Sequence, residues 1–114
     1  MKIKEIAELL QGKVICGEEF TGVDVEKAFA CDLMSDVLTL KAENVILLTG
    51  LCNIQTIRTC EMADINCILF VRDKVPTDEM IELAEENNMV LIQTRFSLFK
   101  ASGMLYEKGV SSIY

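Results

Sequence analysis

An α/β domain with a mostly parallel sheet and helices on its faces is the fold class this sequence predicts, on three observations. From residue 45 onward, apolar runs and amphipathic stretches alternate: VILLT, NIQTIRTCEMAD, NCILFV, TDEMIELAEEN, VLIQ and FSLFKASGMLYEKG. The apolar runs are continuous rather than alternating, as expected of strands covered on both faces, the usual condition of parallel sheets. At 114 residues, 51% hydrophobic and with one proline, the chain suits a single domain around a well-packed core, which we assign to residues 1–114.

The elements follow in order. Ile3, Ile6, Ala7 and Leu10 recur at helical spacing, and Gly12 follows as a stop signal. KVICG and, after a turn containing Gly22, EKAFACD are short apolar segments bounded by turn or charged residues and read as strands. In ACDLMSDVLTL, Ser35 is expected to cap a short helix, with Asp36 favourably placed near its positive end and Cys31 packed beneath. The three strand–helix pairs listed above complete the chain. Asn53 and Thr77 are expected helix caps, Met80, Leu83, Ala84 and Asn87 mark an inner helix face, and Gly109 ends the last helix.

Composition narrows the function. Eleven basic against 18 acidic residues give a net charge of -7, which opposes binding to a nucleic-acid backbone. Glu5 and Glu8 interrupt the apolar residues of the N-terminal stretch, so no signal-peptide core is expected there. No apolar run approaches the ~20 residues that span a bilayer. A cytoplasmic location without membrane attachment is the expectation. Five cysteines without a C-x-x-C pair, in a chain with no histidine, read as reduced, mostly buried small residues rather than metal ligands. Neither a metal nor a cofactor is expected.

Enzyme signatures are equally sparse. Neither G-x-x-x-x-G-K-[ST] nor a G-x-G-x-x-G after a strand is present, and a serine or cysteine nucleophile would lack its usual histidine base. The glutamates at 79, 82, 85 and 86 fall opposite the apolar stripe of their helix and read as a solvated face. Asp32 and Asp36 are the candidate carboxylate pair, but a strand-to-helix junction between them would break a shared helical face, and no third acidic residue stands beside them. Capping and turn formation account for them better than catalysis.

Ligands of open α/β sheets bind outside the carboxyl ends of the strands. Here those ends are TGLCN, RDKVPT and QTRFS, each leading into a helix. Thr49, Gly50 and Asn53, with Arg72 and Arg95, are candidate ligands for a small anion, since backbone N–H groups and guanidinium groups suit phosphate. Asp32 and Ser35 join the set if their loop lies beside Thr49 and Asn53.

The segments TGVDVEKAFACDLMSDVL, VILLTGLCNIQTIRTCEMADINCILFV, VPTDEMIELAEENNMVLIQT and FSLFKASGMLY together resemble the DRTGG domain, a family similar to the N-terminal domain of HPr kinase and found beside phosphotransacetylases and inside CBS-containing inorganic pyrophosphatases. The resemblance covers roughly residues 1–109. Its most specific part is matched by residues 31–37 with Thr49, Gly50, Asn53 and Gln55. The naming motif itself is altered: EEFTGV keeps Thr21 and Gly22 but has Glu19 and Phe20 in place of the acid and arginine, and Val23 in place of the second glycine. The resemblance implies a largely parallel α/β fold and no catalytic residues, because the kinase activity of HPr kinase belongs to a separate P-loop domain. It implies a regulatory or protein-interaction module, often homodimeric. The alternative is a sensor of a nucleotide or other small anion at the carboxyl edge of the sheet.

Overall fold

The computed structural model describes residues 1–114 and has six strands in one sheet. In chain order the elements are α1 (Ile3–Leu9), β1 (Lys13–Cys16), a 3₁₀ turn (Glu18–Phe20), β2 (Lys27–Ala30), α2 (Met34–Val37), β3 (Val45–Thr49), α3 (Ile54–Met62), β4 (Cys67–Phe70), α4 (Asp78–Glu86), β5 (Val90–Gln93), α5 (Leu98–Glu107) and β6 (Ser111–Ser112). The sheet order is β1-β5-β4-β3-β2-β6. All neighbours run parallel except β1, which pairs antiparallel with β5 and shifts register between Val14 and Cys16. A mostly parallel α/β sheet is thus the fold. The sequence reading did not contain β6, whose two residues are too short to carry a pattern.

The strands β3 and β4 are buried at every residue, which explains their continuous apolar composition. Their side chains alternate between two cores. Ile46, Leu48 and Leu69 meet Ile6 and Leu10 from the α1 region and Ala101 and Leu105 of α5. Leu47, Ile68 and Phe70 meet Val37, Ile57, Met80 and Ala84 from α2, α3 and α4. Helices therefore cover both faces, three on one and two on the other.

Helix ends are set by local chemistry. Asn53, Thr77 and Ser97 cap α3, α4 and α5, each accepting a backbone N–H three residues on. The four longer helices end alike, in a left-handed residue, at Gln11, Asp64, Asn88 and Gly109. In each the next residue's N–H reaches back to the last turn, from Gly12 to Ala7, Ile65 to Cys60, Met89 to Ala84 and Val110 to Leu105. At α1 the left-handed position falls to Gln11; Gly12 is needed instead because a Cβ there would lie 2.9 Å from Ile92 Cγ2 and 3.0 Å from the Gln93 carbonyl.

One local expectation fails. Ser35 does not cap α2, because the helix begins two residues earlier than such a cap requires, at Met34, and its N-cap position is Leu33, with no side-chain bond. Ser35 is an exposed residue within the helix. Instead the loop entering α2 is shaped by Cys31, whose half-buried sulfur accepts the Leu33 N–H at 3.3 Å. Asp36 does lie in the first turn, as expected.

Candidate functional site

The carboxyl ends of β2 and β3 are joined by one carboxylate. Cys31 extends the β2–β3 pairing through its N–H to the Leu48 carbonyl, which brings Asp32 over the end of β3. Asp32 Oδ1 accepts the Thr49 hydroxyl at 2.7 Å and the Gly50 N–H at 2.9 Å. Thr49 is fully buried, and its Oγ1 accepts the Leu51 N–H at 3.1 Å. The Leu51 carbonyl accepts the buried Thr56 hydroxyl at 2.6 Å, and Asn53 Oδ1 accepts the Thr56 N–H at 3.1 Å. These bonds form a continuous chain from the β2–α2 loop to the first turn of α3.

The hydrogen bond from Thr49, and then that from Gly50, hold the Asp32 carboxyl below its ordinary value. Ionised at neutral pH, it is an acceptor and offers no proton as a general acid. Asp36 takes no part in these bonds. No group of three acidic or cysteine side chains is placed to hold a metal ion.

Arg72 and Arg95 stand further along the edge. The helix after β4 covers one face of the sheet and the helix after β5 the other, so the crevice between these strand ends is where such folds accept ligands. Here backbone bonds bridge it: the Arg72 N–H donates to the Phe96 carbonyl at 3.0 Å and the Asp73 N–H to the Thr94 carbonyl at 2.9 Å. Both Arg72 and Asp73 are left-handed, with φ of 58° and 56°. Arg95 turns toward α1, donating to Gln11 Oε1 at 3.0 Å and lying 5.6 Å from the Phe96 ring centroid, while Lys100 Nζ sits 4.1 Å from the same centroid. The salt bridges of the chain are those of Asp24 with Lys2 and the N-terminus, so neither arginine is neutralised by a carboxylate.

Asp32, Thr49, Gly50 and Asn53 thus belong to one bonded unit, whereas Ser35 forms no hydrogen bond in it and Arg95 is drawn to the opposite helical layer. The sequence reading did not assign Leu51, Thr56 and Gln11 these bonding roles. Gln11 meets Arg95, 84 residues away, a contact no spacing rule reports, whereas the bonds of Leu51 and Thr56 are local, two to five residues long, and follow from the turn between Thr49 and the Asn53 cap. Cys52, beside this unit, is half-buried, and its thiol is pushed up by burial, partly opposed by the positive charge of Lys74.

No protein-family model and no curated protein matches the sequence. Among solved structures the chain is similar to the CBS and DRTGG domains of the regulatory region of Clostridium perfringens pyrophosphatase, complexed with its activator, diadenosine tetraphosphate. The TM-score is 0.73 with 21% identity, over 91% of this chain and 45% of that one. The likeness shows a shared fold, and this chain spans less than half the length of that structure.

Proposed function

We propose that this chain is a regulatory or protein-interaction domain of the DRTGG family, occupying residues 1–114, rather than an enzyme. The observation that carries the reading is its fold, shared over 91% of the chain with part of a pyrophosphatase regulatory region. The site chemistry agrees with it. The carboxylate at the carboxyl edge of the sheet, Asp32, is committed to clamping two loops. We further propose that the domain forms a homodimer in the cytoplasm. The outer face of α5 supports this: Phe99 is 90% exposed and Tyr106 72%, on one helical face with Gly103 between them. Sedimentation velocity should show a dimer that Phe99→Glu dissociates. A strict monomer that retrieves no partner in pull-downs counts against the reading.

A specific observation favours a second reading, a sensor of a small phosphorylated ligand. Arg72 and Lys74 are exposed at the strand ends without carboxylate partners, and the similar structure holds a dinucleoside polyphosphate. At a concentration of 100 times Kd, such a ligand would stabilise the fold by about 2.7 kcal/mol. Thermal unfolding with diadenosine tetraphosphate and other phosphorylated metabolites tests it: Arg72→Ala and Arg95→Ala should abolish any shift, and a panel that shifts nothing refutes it.

A further inference from the structure

A cavity of about 320 Å³ opens at the amino edge of the sheet, opposite the edge described above. Its floor is the start of β4 and β5, where Cys67 and Val90 pair side by side and buried, with Val45 at the start of β3 on its margin. Ile3 and the segment around Phe20 and Val23 form the facing wall. That wall is the altered motif EEFTGV, and the residues that depart from it by replacing arginine and glycine, Phe20 and Val23, are the ones that line the cavity.

The rim is rich in carboxamides. Asn44, Asn66, Asn87 and Asn88 all line the cavity. The left-handed backbone of Asn44 and Asn88 accounts for their residue type, but Asn66 has no such conformation to satisfy. The Asn87 amide is engaged by the Leu83 carbonyl at 3.0 Å, while the side chains of Asn44, Asn66 and Asn88 bond to no protein group. A primary amide presents a donor and an acceptor side by side, the pattern that matches the edge of a nucleobase.

Charge decides the rest. The lining includes two carboxylates, Asp24 and Asp64, and no lysine or arginine. Asp24 lies 3.6 Å from Lys2 Nζ and 3.9 Å from the α-amino group, leaving Asp64 unpaired. With Asp24 holding the nearby cations and Asp64 free, phosphate finds no free cationic partner on this rim. The volume sits at the small end of ligand pockets, of about 300–1,000 Å³, enough for a base or nucleoside and too little for a dinucleotide.

We propose that this cavity binds an uncharged heterocycle of the nucleobase or nucleoside class, with its ring against Phe20 and the apolar floor and its polar edge on the asparagine rim. The site is separate from the strand-end arginines and has the opposite charge preference, so the two readings stand or fall apart. The test is ¹H–¹⁵N correlation NMR of the full chain titrated to millimolar adenosine, guanosine, cytidine and uridine, with adenosine 5′-monophosphate as the anionic control. At least one nucleoside should move the signals of Val23, Asn44, Asn66 and Asn88, and the nucleotide should bind more weakly. Asn66 is exposed and unbonded, so Asn66→Ala should fold normally and weaken binding by about tenfold, the loss of one hydrogen-bonded pair. The proposal is overturned if no nucleoside moves these signals, if Asn66→Ala binds as the parent does, or if the movements cluster at Thr49, Arg72 and Arg95 instead.

Discussion

Removing the Asp32 carboxylate should cost stability in a way that separates its bonding role from its charge. In Asp32→Ala, the Gly50 N–H loses its side-chain acceptor and the buried Thr49 hydroxyl loses its acceptor at 2.7 Å. Hydrogen bonds to a charged group contribute about 1.5–3 kcal/mol each, but Asp32 is exposed, and screening by solvent brings the pair to about 2 kcal/mol in total. Asp32→Asn keeps an acceptor oxygen in place and should lose about 1 kcal/mol or less. With a urea slope of about 1–3 kcal/mol/M, the alanine variant should move the midpoint down by about 1 M. The pH dependence follows from the direction of the shift. The folded-state carboxyl lies below its ordinary value of 3.8, so its stabilisation is fully present above that value and is lost as pH falls through the lowered folded-state value. The gap between wild type and Asp32→Asn in urea unfolding should therefore be constant from neutral pH to mildly acidic pH and close below 3.8. Equal midpoints for Asp32→Ala and wild type, or equal damage from Ala and Asn, would refute the clamp.

The glycines should divide sharply. Gly17→Ala places a Cβ 2.5 Å from the Met89 carbonyl at a φ of +84° and should destabilise the fold by roughly 3 kcal/mol or more, by urea unfolding. Gly103→Ala meets nothing within 4 Å inside α5 of the single chain, so in the Phe99→Glu background, where that face is free of a second copy, it should stabilise the protein by about 0.5–1 kcal/mol in urea unfolding. Thr56→Val leaves the Leu51 carbonyl without its 2.6 Å donor and should cost about 1–2 kcal/mol with little change in volume. In native thiol titration Cys16, Cys60 and Cys67 should react only on unfolding, since they are buried and the Cys60 thiol is pushed up to about 12 by desolvation, while half-buried Cys31 and Cys52 react first.

Much of the candidate unit is legible in the sequence. Thr49, Gly50 and Asn53 stand out because the end of an apolar run and the start of an amphipathic one are both local signals, and Asn53 caps as its residue type suggests. Asp32 stands out twice, as half of a pair with Asp36 and, with Ser35, as a neighbour of Thr49 and Asn53 if its loop lies beside them. Its actual partner is Thr49, 17 residues on, reached only because β2 and β3 lie side by side. Ser35 fails for a smaller reason: the helix starts two residues early, and a two-residue shift at a boundary turns a cap into a surface residue. The cavity at the amino edge of the sheet is not foreseen at all. Its walls come from several segments, and its asparagines each look like an isolated loop residue.

The sequence by itself determined where the first five strands and the longer helices lie and that both sheet faces are covered, because periodicity and continuous apolar runs are set by local geometry. Tertiary structure decided which strands adjoin. It sent β1 antiparallel along one edge and brought β6 back beside β2 at the other. It also bonded the β4 and β5 loops across the crevice and turned Arg95 onto Gln11. Those outcomes depend on contacts between residues far apart in the chain, whose pairing is settled only when all the layers close together.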